Sequence, residues 1–324
     1  MKALAYEKAH PLDEFAVELT DVDEPRPRDA DLLVEVAAIG VNPGEAAIRA
    51  ARGAEPGGRV VLGWEFAGVV TAIGPEATGF AVGDRVMGTG DFTRDGCWAE
   101  RVAVDHRVVA KIPDELAFAD AASLPIGVLT AWEALFRDQD SLPAGVNRVL
   151  VIGAAGGVGS MATQLLKTRT SAFVIGTASR PESARWVTEM GADLVVGHDD
   201  LAAQQAVDMV LSTARTGEHL DAITEVLRPF GHLSVIDSAG PLDLGAFTGR
   251  SLSLHTEMVF SRIIAGHDAG AQGRILTRAA RDVVEGRLRP IGTTTLHGLT
   301  ADTMRSAHAL VESGRTIGKT VIVV

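Results

Sequence analysis

Ala154-Ala155-Gly156-Gly157-Val158-Gly159 puts small residues at the first, third and sixth places of a six-residue run. That spacing lets backbone N–H groups approach an anion closely, provided that a strand leads in and a helix leads out. Both flanks are present. Arg148-Val149-Leu150-Val151-Ile152 is an apolar, β-branched run, and Val158, Ala162, Leu165 and Leu166 share one face of a helix. The run reads as the phosphate turn of a dinucleotide site, with Ala155, Gly156, Gly157 and Val158 at the pyrophosphate. The alternative is a tight strand-to-helix turn without a ligand.

An NAD site ordinarily places an acid about 20 residues further on, against the ribose 2′-hydroxyl. No Asp or Glu occurs between Ser160 and Pro181. The next apolar run ends instead in Ser179-Arg180-Pro181-Glu182, and a hydroxyl with a guanidinium suits a 2′-phosphate. Ser179 and Arg180 therefore point to NADPH. Ser179 also reads as an N-cap whose capping box Glu182 completes, a role compatible with the first.

Other chemistries lack their residues. The single cysteine, Cys97, allows no intrachain disulfide and no thiolate zinc cluster. The nine histidines contain no closely spaced pair, so no metal ligands are assigned and each reads as a surface or packing residue. Gly-x-Ser-x-Gly, the local cue for a serine hydrolase, is absent.

The elements needed to position these residues can be read from pattern. Short strands at 2–6, 16–19 and 32–36, then glycine-bounded strands through residue 104, suggest a small barrel-like β domain. From about Asp114 helical patterns begin, and strands then alternate with helices: 149–152, helix 158–168, 172–176, helix 181–190, 194–196, 207–212, helix 218–228, 232–236 and 252–255. Such alternation implies a doubly wound parallel sheet. The tail reads as a helix at 272–286, an extended piece at 289–297, a helix begun by Thr300 and a last strand at 320–324 that rejoins the N-terminal domain. The expected fold class is α/β, with domain limits at 1–123, 124–262 and 263–324.

With 324 residues, 46% hydrophobic and 22% charged, the chain can bury two cores. A net charge of −12 argues against nucleic acid or anionic membrane as partners. Neither a signal peptide nor an apolar run of about 18 residues is evident, and a cytoplasmic location is expected.

Six segments in order resemble the zinc-free quinone oxidoreductase branch of the medium-chain dehydrogenase/reductase superfamily: Gly40-Val41-Asn42-Pro43, Leu62-Gly63-Trp64-Glu65-Phe66-Ala67-Gly68, Val82-Gly83-Asp84-Arg85-Val86, Thr130-Ala131-Trp132-Glu133-Ala134-Leu135, the glycine turn, and Glu312-Ser313-Gly314-Arg315-Thr316-Ile317-Gly318-Lys319. Within it the chain is most similar to the zinc-type alcohol dehydrogenase-like proteins. The resemblance implies a GroES-like substrate domain built from both chain ends, an inserted Rossmann domain, NADPH in the cleft and a homodimer. Where zinc-binding relatives carry Cys and His-Glu, this chain has Asn42 and Trp64-Glu65, which implies a metal-free site.

By the same likeness, Asn42 and Thr130 lie near the nicotinamide, Ser212 and Thr213 near the adenosine, and Ile236, Asp237, Met258 and Val259 at the carboxamide. Asn42 is the candidate catalytic residue. Plainer roles stay open: a turn before Pro43 for Asn42, capping or packing for Thr130, a solvated side chain for Lys319, and an ion pair of Glu45 with Arg49. The implied activity is hydride transfer from NADPH to a quinone or an α,β-unsaturated carbonyl, a small-molecule substrate, with solvent supplying the proton. A non-catalytic NADPH-binding protein, a zinc-dependent alcohol dehydrogenase and a polyketide enoyl reductase module are the alternatives.

Overall fold

The computed structural model describes every residue except Asp138, Ala239 and Leu244. The chain divides into two units, Met1–Ile126 with Phe260–Val324, and Gly127–Val259. Among the described residues no helix is long and apolar enough to cross a membrane.

The first unit is built on β3 (Asp31–Val41), whose valines and isoleucine alternate toward a buried face. With β5 (Glu65–Ile73), β6 (Arg85–Thr89), β7 (Arg101–Asp105), β8 (Val109–Lys111), β15 (Gly292–His297) and β16 (Lys319–Val323) it forms a seven-stranded sheet. A three-stranded sheet joins β1 (Lys2–Tyr6), β2 (Glu18–Asp21) and β4 (Val60–Val61). The last strand, β16, pairs antiparallel with β3, setting Thr320 opposite Val41 and Val323 opposite Ala38. Leu4, Leu32, Ile39, Phe66, Trp98, Met304 and Ile322 fill one core from both ends of the chain.

Helix α1 (Pro43–Ala51) follows β3 at once, because Pro43 supplies a preset first-turn φ and Asn42 before it is extended. Helices α2 (Phe118–Ala122), α8 (Ser261–Ala265), α9 (Ala271–Val284) and α10 (Ala301–Glu312) complete this unit, and α3 (Pro125–Phe136) starts here and runs into the next. Thr300 caps α10 as its sequence suggests, its hydroxyl accepting the Thr303 N–H at 3.1 Å.

The second unit is a Rossmann sheet of six parallel strands: β9 (Arg148–Ile152), β10 (Phe173–Thr177), β11 (Leu194–Val196), β12 (Val207–Ser212), β13 (Leu227–Val235) and β14 (Ser253–Thr256). Their order is β11-β10-β9-β12-β13-β14, which reverses between β9 and β12. Helices α4 (Gly157–Arg169), α5 (Pro181–Glu189), α6 (Thr216–Val226) and α7 (Gly245–Thr248) are interspersed. Two expected elements of this unit move by more than one residue. Helix α6 lies at 216–226 rather than 218–228, and β13 begins at Leu227 rather than 232. Pro229 and Gly231 hide the early part of β13 from pattern reading, and there Phe230 takes a φ of +62° and the register shifts.

Candidate functional site

In the second unit, β9 delivers the chain to Gly153, whose φ of +75° suits glycine, and Gly156 N–H donates to Gly153 O at 3.0 Å to close the turn. Gly156 is the N-cap of α4 and brings no side-chain cap. The first-turn amides of the half-buried Gly157 and Val158 are therefore left for another acceptor, which a phosphate can be. Gly159 lets the helix sit on the turn: a Cβ there would lie 2.6 Å from Ala154 Cα and press on Gly153 O. These residues fit a dinucleotide pyrophosphate.

The remaining candidates of this unit follow the C-terminal ends of the parallel strands. After β10 come Ser179, exposed, and Arg180, half-buried. The cap falls one residue later than expected. Pro181 forces Arg180 into an extended conformation (φ −127°, ψ 149°), so Arg180 is the N-cap and Ser183 its partner, and Ser179 stays outside the helix. Arg180 N–H donates to Ser183 Oγ at 3.2 Å, and Arg180 Nε meets Glu182 Oε1 at 2.6 Å. The carboxylate missing before Pro181 thus reaches the arginine from the helix.

After β12, Thr213 Oγ1 donates to Ile152 O at 2.8 Å. Thr216 Oγ1 lies 2.7 Å from the buried Ser212 Oγ and 2.5 Å from Asp237 Oδ1, while its N–H donates to Asp237 Oδ2 at 3.0 Å. Asp237 therefore closes the first turn of α6, and Ile236 beside it donates its N–H to Ser212 O at 3.2 Å. Thr130 is buried in α3, Val259 is buried and Met258 is exposed.

A second constellation lies in the first unit around Asn42. Its Nδ2 donates to Glu65 Oε2 at 2.9 Å, and its Oδ1 accepts from Lys319 Nζ at 2.5 Å. Lys319 Nζ also donates to Glu65 Oε2 at 2.7 Å, and Ile126 N–H donates to Glu65 Oε1 at 2.8 Å. Lys319 is not solvated. It is buried because β16 runs beside β3, and a buried ammonium needs a carboxylate. Glu65 is the one acid in an apolar strand start, a signal that could have predicted a buried partner.

Glu45 does not pair with Arg49 either. It is fully buried and accepts from Asn42 N–H at 3.0 Å and Trp64 N–H at 3.2 Å, whereas Arg49 meets Glu312 at 2.9 Å and His308 at 3.1 Å. Burial pushes the Glu45 carboxyl from 4.5 up to about 7, and Glu65 adds to this, while the two amides oppose it. A carboxyl that keeps its proton longer when folded stabilises fully below about pH 4.5 and loses that contribution as the pH rises through about 7. Relative to the wild type, Glu45→Gln should gain roughly 2–3 kcal/mol between pH 5 and pH 8 in urea denaturation. His308, held down at about 3 by burial and Arg49, acts with the opposite sign as the pH falls, and the difference between the two proteins cancels it. A pH-independent difference would refute the raised value. Tyr6 is packed edge-on to His10 at 5.0 Å, and burial raises its phenol to about 12.

Residues 28–114 match the model of the alcohol dehydrogenase GroES-like domain, and residues 190–322 that of the zinc-binding dehydrogenases. The chain is 34% identical to a zinc-type alcohol dehydrogenase-like protein of Staphylococcus aureus over 99% of both chains. A solved structure from Rhizobium etli CFN 42, provisionally named a zinc-dependent alcohol dehydrogenase, matches with a TM-score of 0.95 at 38% identity over 100% of this chain and 98% of that one. The quinone oxidoreductase of Coxiella burnetii matches with a TM-score of 0.82 at 26% identity, over 100% and 99%.

Two of those three names mention zinc, and the donor set around Asn42 does not fit it. Trp64 offers no ligand atom, the Cys97 thiol is buried and donates to Glu65 O at 3.4 Å, and an ammonium already occupies the Glu65 carboxylate. Among the described residues no three His, Cys, Asp or Glu side chains stand close enough together to hold a metal. Fold, glycine turn and relatives agree on the family: the chain is an oxidoreductase of the medium-chain dehydrogenase/reductase superfamily and belongs with the zinc-type alcohol dehydrogenase-like proteins.

Proposed function

We propose that this oxidoreductase reduces a quinone or an α,β-unsaturated carbonyl with NADPH and without zinc. The observation that carries this reading is the set Asn42, Glu65 and Lys319, an amide and an ion pair where a Lewis acid would need thiolate or imidazole ligands. Without a metal to polarise an alcohol, an electron-poor acceptor is the better matched substrate. NADPH, when bound, supplies the hydride and its electron pair. The amides of Gly157 and Val158 hold the pyrophosphate, and Ser179 and Arg180 take the 2′-phosphate. Asn42 fixes the Lys319 ammonium, two of whose three donors are engaged, and so sets the direction of the third. Tyr6 is committed to packing, and water protonates the reduced substrate.

The test is an oxidation screen of NADPH and NADH over quinones, enones and aldehydes, with and without a chelator. Chelator-insensitive turnover of NADPH with a quinone or enone is the expected result. Zinc-dependent alcohol oxidation would overturn the reading, and tight NADPH binding without turnover on the panel would leave a binding protein. Arg180→Ala should weaken NADPH by about 10- to 100-fold, the loss of one charge-assisted contact, with little effect on NADH. Equal losses for both nucleotides would remove Arg180 from the 2′-phosphate.

A further inference from the structure

Two histidines that belong to no motif meet at the strand ends of the second unit. His198 follows β11 and His219 lies near the start of α6, both half-buried. Their rings stack with centroids 5.6 Å apart and planes 22° apart. His198 Nε2 is 3.0 Å from Thr177 Oγ1 at the end of β10, and the same hydroxyl accepts the N–H of Gly153 in the phosphate turn at 2.9 Å. A hydroxyl that already accepts a backbone proton has its own to give. Assigning that proton to His198 Nε2 gives a neutral ring protonated on Nδ1.

The charged groups facing the pair are Asp199 in the same turn and Arg215 ahead of α6, with Glu218 3.6 Å from Arg215. Burial, then His219 and Arg215, hold His198 below the usual imidazole range, against Asp199. The ring is thus uncharged at neutral pH. In a doubly wound sheet the ribose 2′ substituent lies beyond the end of the second strand, here β10, which Thr177 closes.

We propose that the stacked His198–His219 pair reads the ribose 2′-phosphate through a linked proton, taking one up when NADPH binds and none when NADH binds. This rests on the NADPH reading above. A dianionic phosphate beside the pair stabilises an imidazolium at His198, whose ring burial holds neutral in the free protein. One linked proton changes affinity by up to about tenfold per pH unit where His198 is neutral in the free protein and charged in the complex. The phosphate itself loses its second proton near pH 6, so the linkage is read above that value.

The experiment is titration calorimetry of the full chain with NADPH and with NADH from pH 6.5 to 8.5, in buffers of different ionisation enthalpy. NADPH affinity should fall about 10- to 100-fold across the range, with an average uptake of about half to one proton, while NADH affinity stays within about twofold. His198→Asn should abolish both the slope and the uptake, and His219→Asn, at a half-exposed helix position, should do the same if the first variant folds poorly. Parallel behaviour of the two nucleotides, or a slope that survives both substitutions, overturns the proposal. An NADPH preference independent of pH removes the pair and leaves the cofactor reading standing. No preference at any pH removes both.

Discussion

Lys319→Met should destabilise the first unit by about 3–5 kcal/mol, the cost of leaving a buried charge without its partner. Glu65 is fully buried, and after the substitution only the Asn42 amide and the Ile126 N–H would face its carboxylate. The lost attraction is the smaller part of the effect. The larger part is a carboxylate already stripped of water, with nothing to replace the ammonium. Adding Glu65→Gln should therefore restore much of the stability, because the second substitution removes the stranded charge. Urea denaturation of the two single variants and the double variant measures this coupling. A loss below about 1 kcal/mol for Lys319→Met, or additive losses in the double variant, would show that the pair does not organise this region.

Gly159→Ala should reduce affinity for NADPH and NADH alike, on the order of 100-fold, through the loss of two charge-assisted amide contacts to the pyrophosphate. The added methyl would lie 2.6 Å from Ala154 Cα and against Gly153 O, and backbone on both sides cannot yield as a flexible side chain would. Relief requires α4 to lift off the turn, which moves the amides of Gly157 and Val158 and costs about 1–3 kcal/mol by overpacking. Gly249→Ala is the control, since a Cβ there meets nothing within 4 Å and should leave binding within about twofold. Calorimetry separates this variant from Arg180→Ala, which discriminates between the nucleotides. Unchanged binding in Gly159→Ala would mean that the phosphates sit elsewhere.

Short-range features carry most of what can be read before folding. Gly153, Gly156 and Gly159 are needed for one bend, Val149 to Ile152 for one strand, and Pro43 and Pro181 for two helix starts, each an effect of neighbours within a few residues. The alternation from 148 onward likewise implies a parallel sheet, because parallel strands need crossover helices. Reading by pattern falters where a local rule competes with another. Ser179 looks like a cap until Pro181 hands that place to Arg180, and Pro229 conceals the beginning of β13.

By itself, then, the sequence determines the tight glycine turn, the doubly wound sheet and the missing acid before Pro181. Tertiary structure alone decides the states of the polar side chains. Asn42 and Lys319 are 277 residues apart and meet because β16 lies beside β3, and His198, after β11, meets His219, near the start of α6, across 21 residues of chain. Whether a lysine is solvated or buried, or a glutamate ionised or protonated, depends on the water and charges left around it after packing. Those surroundings come from segments far apart in the chain, so no local spacing encodes them.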